Sequence, residues 1–498
     1  MACWSTRWRW NVKSGGDRDD VPRWGISRAP QGRDPGRGGR CAMRSGWRRR
    51  ATVSRIARRA PESGLHSAMP ARSDPMALAA PDRDDARARA VAAAMDIVAG
   101  HGLAALSVRD LAAAIGKSTT VIFNLFQAKA GVVGAMVEAA MEEDLAFHDA
   151  FLSQVDGLVL DQRTMVDITA RYVLARAEPS ARFARIWEEV LIDPEAAQAA
   201  REPLARWLAM RRSKLGGLLA RDARLERLGA VYLPYLLMEE LYAAALARRL
   251  DYELLLRESL EGLIAMAFGE PSGGEAKVAR WFTGALVLPE PPSKRYAPGS
   301  VKMRLLDIAA DQILERGIGA VTNRTVTQTA GVSTSTILYH FADMRSFLAE
   351  AIWHSVFREI PDYLDTRNPR DRERPADLQG LAALLAPTLR PGASEDPGDA
   401  GFYVKYARLI AQICLIARRD AAFENMAMLL RGPEGGGTYA RREAVWPPAF
   451  DMTRLSAMRF AIWIKGSALL SAALPETETQ GAEARLGAAA LALVPTTV

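Results

Sequence analysis

The sequence predicts an all-α protein that contains two tandem copies of one helical unit. Alanine and leucine dominate the 498 residues, and stretches of alternating β-branched residues are nearly absent, which favours helices over strands. Residues 89–133 align with residues 304–348 without a gap, and glycines, alanines and an arginine recur at the same positions. A repeat of this length indicates two copies of one structural unit.

The first copy has the pattern of three short helices. Apolar residues at helical spacing predict a first helix, which Gly102 ends. Ser107 begins a Ser-x-x-Asp capping signal for the second helix. Gly116 ends that helix, and a third helix is expected from about Thr119 to Phe126. Two short helices joined by a glycine-containing turn form a helix-turn-helix, whose second helix fits the major groove of DNA.

The second copy repeats this plan at equivalent positions. Gly317 ends the first helix, and Thr322 is the expected cap of the second. Gly331 supplies the turn, and the third helix is expected to start at about Thr334. The sequence therefore predicts two helix-turn-helix motifs in one chain.

The predicted third helices and their flanks carry the candidate DNA-binding side chains. Short hydroxyls and free backbone N–H groups near a helix N-terminus bind phosphates, while basic, amide and aromatic side chains reach phosphates or base edges. A single hydroxyl of this kind is equally consistent with a simple helix cap. The repetition of the set in register favours DNA contact. The candidates are Arg109, Lys117, Ser118, Thr119, Thr120, Asn124, Lys129, Arg324, Ser333, Thr334, Ser335, Thr336, Tyr339, His340 and Arg345.

Both copies resemble the N-terminal DNA-binding domain of TetR-family transcriptional regulators. The segment AGVSTSTILYHF at 330–341 is a close match to the family pattern, and AIGKSTTVIFNLF at 114–126 is a looser one. The chain is thus identified as two TetR-like units fused in tandem.

The two copies depart from the family pattern at specific positions. The family's phosphate-contacting tyrosine falls on Phe123 and Leu338, and Tyr339 follows one residue later. The family's lysine at the start of the fourth helix is kept as Lys129 but is replaced by Met344. The resemblance therefore implies that the two copies bind DNA with different side chains.

The resemblance also implies a domain order, in which each DNA-binding domain precedes a helical effector domain. In single-unit members the last two long helices form a four-helix dimer interface, and the matching segments here are about 230–268 and 451–491. If these segments pack on each other, one chain acts as a pseudo-dimer, while a homodimer of chains is the other arrangement. The expected domains are a disordered basic arm or non-native extension at 1–84, a first helix-turn-helix domain at 85–130, a first effector domain at 131–287, a Pro-rich linker at 288–299, a second helix-turn-helix domain at 300–346, and a second effector domain at 347–498.

The function implied by the resemblance is that of a sequence-specific DNA-binding regulator, in particular a repressor relieved by a small molecule. Its partners would be double-stranded DNA and the effector, and it would work in the bacterial cytoplasm at the nucleoid. Aromatic side chains in the two effector domains are candidate ligand contacts in pockets with few fixed charges, and the alternative is ordinary core packing. The candidates are Tyr172, Trp187, Tyr235, Met238, Phe402, Tyr403, Tyr406 and Trp463.

The N-terminal segment differs in composition from the rest. Residues 1–80 hold 17 Arg or Lys and 6 Asp or Glu, while the whole chain has a net charge of +7, so the remainder is mildly acidic. Three interpretations stay open: a basic arm that adds non-specific DNA affinity, a transit peptide, or an upstream extension that precedes a true start at Met69 or Met76.

Other classes of protein find no support in the sequence. No apolar run approaches the 18 residues of a membrane span. Cys3, Cys41 and Cys414 are too scattered for a disulfide framework, and the five histidines lack metal-ligand spacing. Nucleotide-binding and hydrolase motifs are missing, so no cofactor and no enzymatic activity are expected.

Two further expectations concern local features. The adjacent acidic pairs at 188–189 and 239–240 are expected on solvated helix faces. The segments 367–375 and 432–442 are expected to be loops, with a mobile glycine run in the second.

Two rival functions are the alternatives to DNA binding. A helical protein–protein interaction module with a vestigial helix-turn-helix is favoured by the few basic residues near the predicted reading helices. A helical-bundle enzyme is the third hypothesis, and the missing metal and cofactor motifs oppose it.

Overall fold

The described part of the chain is α-helical, which confirms the fold class expected from composition. Within it, the pairing of extended backbone is limited to one antiparallel bridge between Phe450 and Thr496. The computed structural model describes residues 80–270, 276–358, 364, 373–390, 401–477 and 481–497. The arm expected at 1–84 therefore lies almost wholly outside the described residues.

The helices before residue 300 are numbered α1 to α12 in chain order. They are α1 (Ala80–His101), α2 (Val108–Ala114), α3 (Thr119–Phe126), α4 (Lys129–Ser153), α5 (Gln162–Arg176), α6 (Arg182–Ile192), α7 (Pro194–Ala199), α8 (Arg201–Leu219), α9 (Tyr232–Leu246), α10 (Leu250–Phe268), α11 (Lys277–Gly284) and α12 (Pro292–Arg295).

The helices from residue 300 onward are numbered α13 to α23. They are α13 (Val301–Arg316), α14 (Asn323–Ala330), α15 (Ser335–His340), α16 (Met344–Arg358), α17 (Leu378–Leu385), α18 (Phe402–Arg419), α19 (Glu424–Arg431), α20 (Gly436–Ala440), α21 (Arg442–Val445), α22 (Arg454–Ala473) and α23 (Ala482–Leu493). Short 3₁₀-helices lie at Leu103–Ala105, Leu225–Leu228, Ile318–Ala320, Ala386–Leu389, Ala421–Phe423 and Pro475–Thr477.

The sequence repeat corresponds to a repeat of backbone conformation. Gly102 follows α1 with φ 86° and ψ 165°, and Gly317 follows α13 with φ 88° and ψ 168°. Side chains other than glycine are strained at such positive φ values, so both copies need glycine at this corner. The predicted ends of the first helices are confirmed. We call residues 85–130 and 300–346 the first and second heads, and residues 131–287 and 347–498 the first and second bundles.

The two bundles pack on each other through their long helices. α9 of the first bundle lies along α22 of the second, and α18 packs against both. A Cβ atom at Gly466 of α22 would stand 1.9 Å from the backbone oxygen of Pro234, so the close approach of α22 to the start of α9 requires a glycine. The described residues from 81 onward belong to one compact unit.

The segment between the bundles carries structure of its own. It contains the helical turn α12, and the Tyr296 hydroxyl donates to Glu350 of α16 at 2.8 Å. Arg295 pairs with the same carboxylate at 3.0 Å. The segment expected as a Pro-rich linker is thus attached to α16, which joins the second head to the second bundle.

The expectation of solvated acidic pairs is wrong. All four carboxylates are buried, and they face arginines: Arg185 Nη2 lies 2.6 Å from Glu188 Oε1, and Arg431 Nη2 lies 2.7 Å from Glu239 Oε1. Arg431 is remote in sequence, so adjacency of the acids did not reveal this partner. Buried acidic side chains occur where such partners exist.

The expectation of a loop at 432–442 is also wrong, because this segment contains α20 and the start of α21. Gly435 has φ 73°, and a Cβ atom there would stand 2.5 Å from the backbone of Ala457. Gly435 therefore allows this segment to pack closely against α22. Most of the other expected loop, residues 367–372, lies outside the described residues.

No described helix is by itself long and apolar enough to cross a membrane. α3 and α4 meet the criteria of length and composition only as a pair, and they are bent by 67° relative to each other.

Candidate nucleic-acid interface

The first head places α3 with one face in the core and the other in solvent. α3 spans Thr119–Phe126, as predicted, and its buried side chains are Ile122, Leu125 and Phe126. The Ser107 hydroxyl accepts a hydrogen bond from the Asp110 backbone N–H at 3.0 Å and caps α2, which satisfies one of the free donors of that helix. The cap predicted from the sequence is therefore present.

The second head has the same arrangement with a shorter third helix. Thr322 and Thr325 form a capping box at the start of α14, and Ile337 is the buried anchor of α15. Ser333 precedes α15, and its hydroxyl lies 2.7 Å from the hydroxyl of Ser335, the first residue of that helix. This head therefore offers a row of hydroxyls at the start of a six-residue helix.

The fifteen predicted DNA-binding residues all lie within the described part of the chain. Thirteen are exposed, and only Thr336 and His340 are half-buried. The ring of Tyr339 is 85% exposed and meets His340 edge to face, with ring centroids 4.9 Å apart. The candidate set is therefore accessible to a partner, and DNA contact itself stays a prediction.

α3 and α15 both lack the tyrosine of the family pattern at the position that it predicts. Phe123 is 64% exposed and Leu338 is 56% exposed. Neither side chain can donate a hydrogen bond to phosphate. Both heads thus present an apolar side chain in the middle of a polar surface.

One predicted contact residue has a partner within the chain. Arg345, at the start of α16, forms an ion pair with Asp420 at 3.0 Å. In the first head the corresponding helix α4 begins with Lys129, which is exposed. This ion pair could not be predicted from the sequence, because its two members are far apart in the chain.

The structure adds basic residues that sequence reasoning did not single out. The Arg87 guanidinium lies over the ring of Phe126 at 4.8 Å and donates to the Leu125 backbone oxygen at 2.9 Å, so it satisfies a carbonyl at the end of α3. Lys302 lies over the ring of Phe341 at 5.2 Å. These two pairs occupy equivalent positions of the repeat, so each head has a cation stacked on the aromatic residue at the C-terminal end of its third helix.

The effector candidates of the first bundle lie in a buried network of charges. The Tyr172 hydroxyl is 3.0 Å from His148 Nε2 and accepts from Arg211 at 3.1 Å, and Arg211 lies 5.0 Å from the centre of the Trp187 ring. Although burial opposes ionisation, Arg176 and its neighbours hold the pKa of Asp144 well below its usual range. This core has more fixed charges than expected.

The other two candidates of the first bundle belong to α9. Tyr235 and Met238 are buried there, and the Tyr235 hydroxyl donates to Glu239 at 3.1 Å. Their surroundings are packed helix interior.

The candidates of the second bundle fall into two groups. Phe402, Tyr403 and Tyr406 form an aromatic cluster at the start of α18, in which the rings of Phe402 and Tyr406 stack at 5.3 Å. Trp463 lies on α22, and no described residue accepts a hydrogen bond from its indole N–H.

Trp463 also lines a half-open cleft of about 440 Å³ between the two bundles. α8 and α9 form one wall, and α22 and α23 form the other. The lining residues are Arg212, Leu215, Gly216, Leu219, Gly229, Ala230, Tyr232, Leu233, Pro234, Trp463, Ser467, Leu470, Thr477 and Arg485.

One comparison with known proteins finds a family model that matches the second head. Residues 305–351 match the family model described as "Bacterial regulatory proteins, tetR family". The match runs from α13 into α16 and covers less than a tenth of the chain. No curated protein matches the chain. The match supports a DNA-binding transcriptional regulator.

Proposed function

We propose that the chain is a sequence-specific transcriptional regulator of the TetR family, built from two TetR-like units that act together as an intrachain pseudo-dimer. The family match supports the second unit. The first unit is supported by its repeated sequence, by the repeated glycine corner at 102 and 317, and by the paired cation–aromatic contacts of the two heads.

The observation that carries the pseudo-dimer is the buried polar interface between the bundles. Glu239 of α9 accepts two hydrogen bonds from Arg431 of α19, at 2.7 and 3.2 Å, and both side chains are fully buried. The Tyr242 hydroxyl donates to Glu434 at 2.6 Å, and Glu434 also pairs with Lys465 of α22.

These contacts specify one bundle as the partner of the other. A buried charge that loses its partner destabilises a protein strongly, so docking of a first bundle onto another first bundle would leave Glu239 without Arg431. A symmetric dimer repeats each contact on both sides, whereas this interface joins two different surfaces. A single chain therefore supplies both heads of one DNA-binding unit.

The mechanism follows from geometry. Two reading helices must lie about 34–36 Å apart to enter successive major grooves. A small molecule can bind more tightly to a conformation in which the two heads have a different separation. It then lowers the affinity for the operator by the ratio of its affinities for the two conformations. The aromatic cluster of α18 and the cleft at Trp463 are the candidate sites for such an effector.

In vitro selection from a random DNA library with the full chain tests this function. Because Lys117, Thr120 and Asn124 of the first head correspond to Val332, Ser335 and Tyr339 of the second, the selected operator should have two different half-sites. Affinity should fall steeply with salt concentration. Recovery of a perfect palindrome would contradict the pseudo-dimer and would mean that two chains each use the same head.

A second candidate function is a protein–protein interaction module. The exposed Phe123 and Leu338 favour it, because apolar side chains on a reading surface suit a protein partner better than a phosphate backbone. Under this alternative the chain would select no DNA sequence, and any residual DNA affinity would be equal for all sequences.

A further inference from the structure

The last two turns of α18 lie between the two heads. Side chains of this helix and of the residue after it contact the second head directly, and they contact the first head both directly and through Glu189 of α6, although α18 belongs to the second bundle. The residues involved are Gln412, Arg418, Arg419 and Asp420.

Two of these residues hold the second head. The Gln412 side-chain oxygen accepts a hydrogen bond from the Ile318 backbone N–H at 2.8 Å. A Cβ atom at Gly317 would stand 2.6 Å from Gln412 Nε2, so the glycine corner of the second head is pressed against this side chain. Asp420, just after the helix, pairs with Arg345 at the start of α16.

The other two residues hold the first head. Arg418 Nη1 donates to the Ala99 backbone oxygen near the end of α1 at 3.3 Å. Arg419 forms an ion pair with Glu189 of α6, and Glu189 Oε2 accepts from the Leu103 backbone N–H at 3.1 Å. A Cβ atom at Gly102 would stand 2.5 Å from Arg419 Nη1.

The two sets of contacts meet the heads at equivalent points. Leu103 and Ile318 both follow the glycine that ends the first helix of their head, and both are buried. Each backbone N–H finds its acceptor on a bundle side chain, which is Gln412 itself in one head and the Arg419-bound Glu189 in the other. Because side chains and rigid helices transmit position through such contacts, one helix fixes the corner of both heads.

We propose that α18 sets the separation of the two reading helices, and that Arg419 and Asp420 thereby determine which half-site spacing the protein accepts. This proposal rests on the proposed function, since spacing has meaning only if both heads bind one DNA site. The four residues would be positioning residues, which touch no DNA.

Hydrogen exchange of the full chain without DNA tests the mechanical part. Arg419→Met keeps an unbranched apolar stem and removes the ion pair, and Gln412→Met removes the acceptor of the Ile318 backbone N–H. We expect exchange to be several-fold to about tenfold faster at 102–106 in the first variant and at 317–321 in the second, as for loss of one hydrogen bond. The matched control is Lys405→Met, an exposed cation on the same helix, which should leave both segments unchanged.

Binding to DNA tests the functional part. The operator obtained by selection is prepared with its half-sites moved apart or together by one or two base pairs. The wild-type protein and Lys405→Met should prefer one spacing by at least about tenfold, in the range of a single base-pair mismatch. The combined variant Arg419→Met with Asp420→Asn should accept all spacings within about threefold. Because Asp420→Asn also releases the predicted DNA contact Arg345, the affinity of the variant for isolated half-sites is measured alongside, and the spacing preference is expressed relative to it.

The outcomes separate this proposal from the proposed function. If the wild-type protein selects DNA and the combined variant keeps its spacing preference, the role of α18 is refuted and the regulator remains. Unchanged exchange at both segments in Arg419→Met and Gln412→Met also refutes it. If the wild-type protein selects no DNA, both proposals fail, and the exchange data then show only how the heads are attached.

Discussion

Replacement of Arg431 by methionine should destabilise the whole chain, because it breaks the buried ion pair that joins the two bundles. Arg431 is fully buried and donates to both carboxylate oxygens of Glu239. Although burial alone lowers it, the charge of Glu239 raises the pKa of Arg431 above its usual value. The guanidinium is therefore charged in the interface.

The expected cost follows from what remains around Glu239. Without Arg431 its carboxylate keeps hydrogen bonds from the hydroxyls of Tyr235 at 3.1 Å and Tyr252 at 3.2 Å, but no described cation replaces the arginine within the ion pair. Removal of one member of a buried pair costs about 3–5 kcal/mol, and the two hydroxyls should keep the loss near the lower value. The second change Glu239→Gln should restore part of it.

Urea unfolding of the full chain measures this loss, and a double-mutant cycle isolates the pair. The matched control is Arg206→Met, which breaks an exposed pair with Glu138 whose members are 2.8 Å apart. An exposed pair contributes at most about 1 kcal/mol. If Arg431→Met costs no more than this control, the bundles are not locked by buried charge and the case for an intrachain pseudo-dimer loses its main support.

Three further outcomes are expected. Thr120→Ala should weaken base readout in one half of the operator, and Thr336→Ala or Tyr339→Ala in the other, by about 1–3 kcal/mol for a base contact; equal effects in both halves, measured with half-site mutants of the operator, would contradict this. Burial raises the pKa of Glu188 to about 7, so between about pH 4.5 and 7 the folded state retains a proton that the unfolded state loses. The free energy of unfolding should therefore fall by up to about 3 kcal/mol as pH rises through this range. Glu188→Gln should flatten this dependence when urea unfolding is compared at pH 5 and pH 8. A protein that starts at Met76 should fold and keep its specific DNA affinity with modest loss, and loss of folding by circular dichroism would show that the preceding residues are needed.

The local structure of the heads was predictable because short-range signals determine it. Ser107, Thr322 and the glycines at 102 and 317 act on their own neighbours in the chain, through caps and positive φ values. The predicted bounds of α3 agree with the structure for the same reason. Helix ends of this kind can be read from sequence because the free backbone groups of a helix have few ways to be satisfied.

The environment of the bundle side chains was not predictable, because it depends on partners far away in the chain. In the sequence, the adjacent acids Glu239 and Glu240 look like a solvated helix face. In the structure both are buried, and Arg431 forms an ion pair with Glu239. The same holds for Arg345, whose ion pair with Asp420 changes its availability to DNA. Sequence periodicity shows which face of a helix is apolar, but it does not show which distant charged residue forms the ion pair with a buried acid.

The asymmetry of the bundles agrees with the proposed pseudo-dimer, because it gives a reason for joining two units in one chain. α6 and α18 occupy corresponding places, since each carries the acceptor for the N–H that follows its head's glycine corner. α6 has 11 residues and ends where Asp193 caps α7 and Pro194 begins it, whereas α18 has 18 residues and extends to the opposite head. In a symmetric homodimer each copy of such a helix would be the same length, so either both or neither would cross to the other head. Only units with different sequences can place one crossing helix beside one short helix, and a covalent link ensures that the two different units meet.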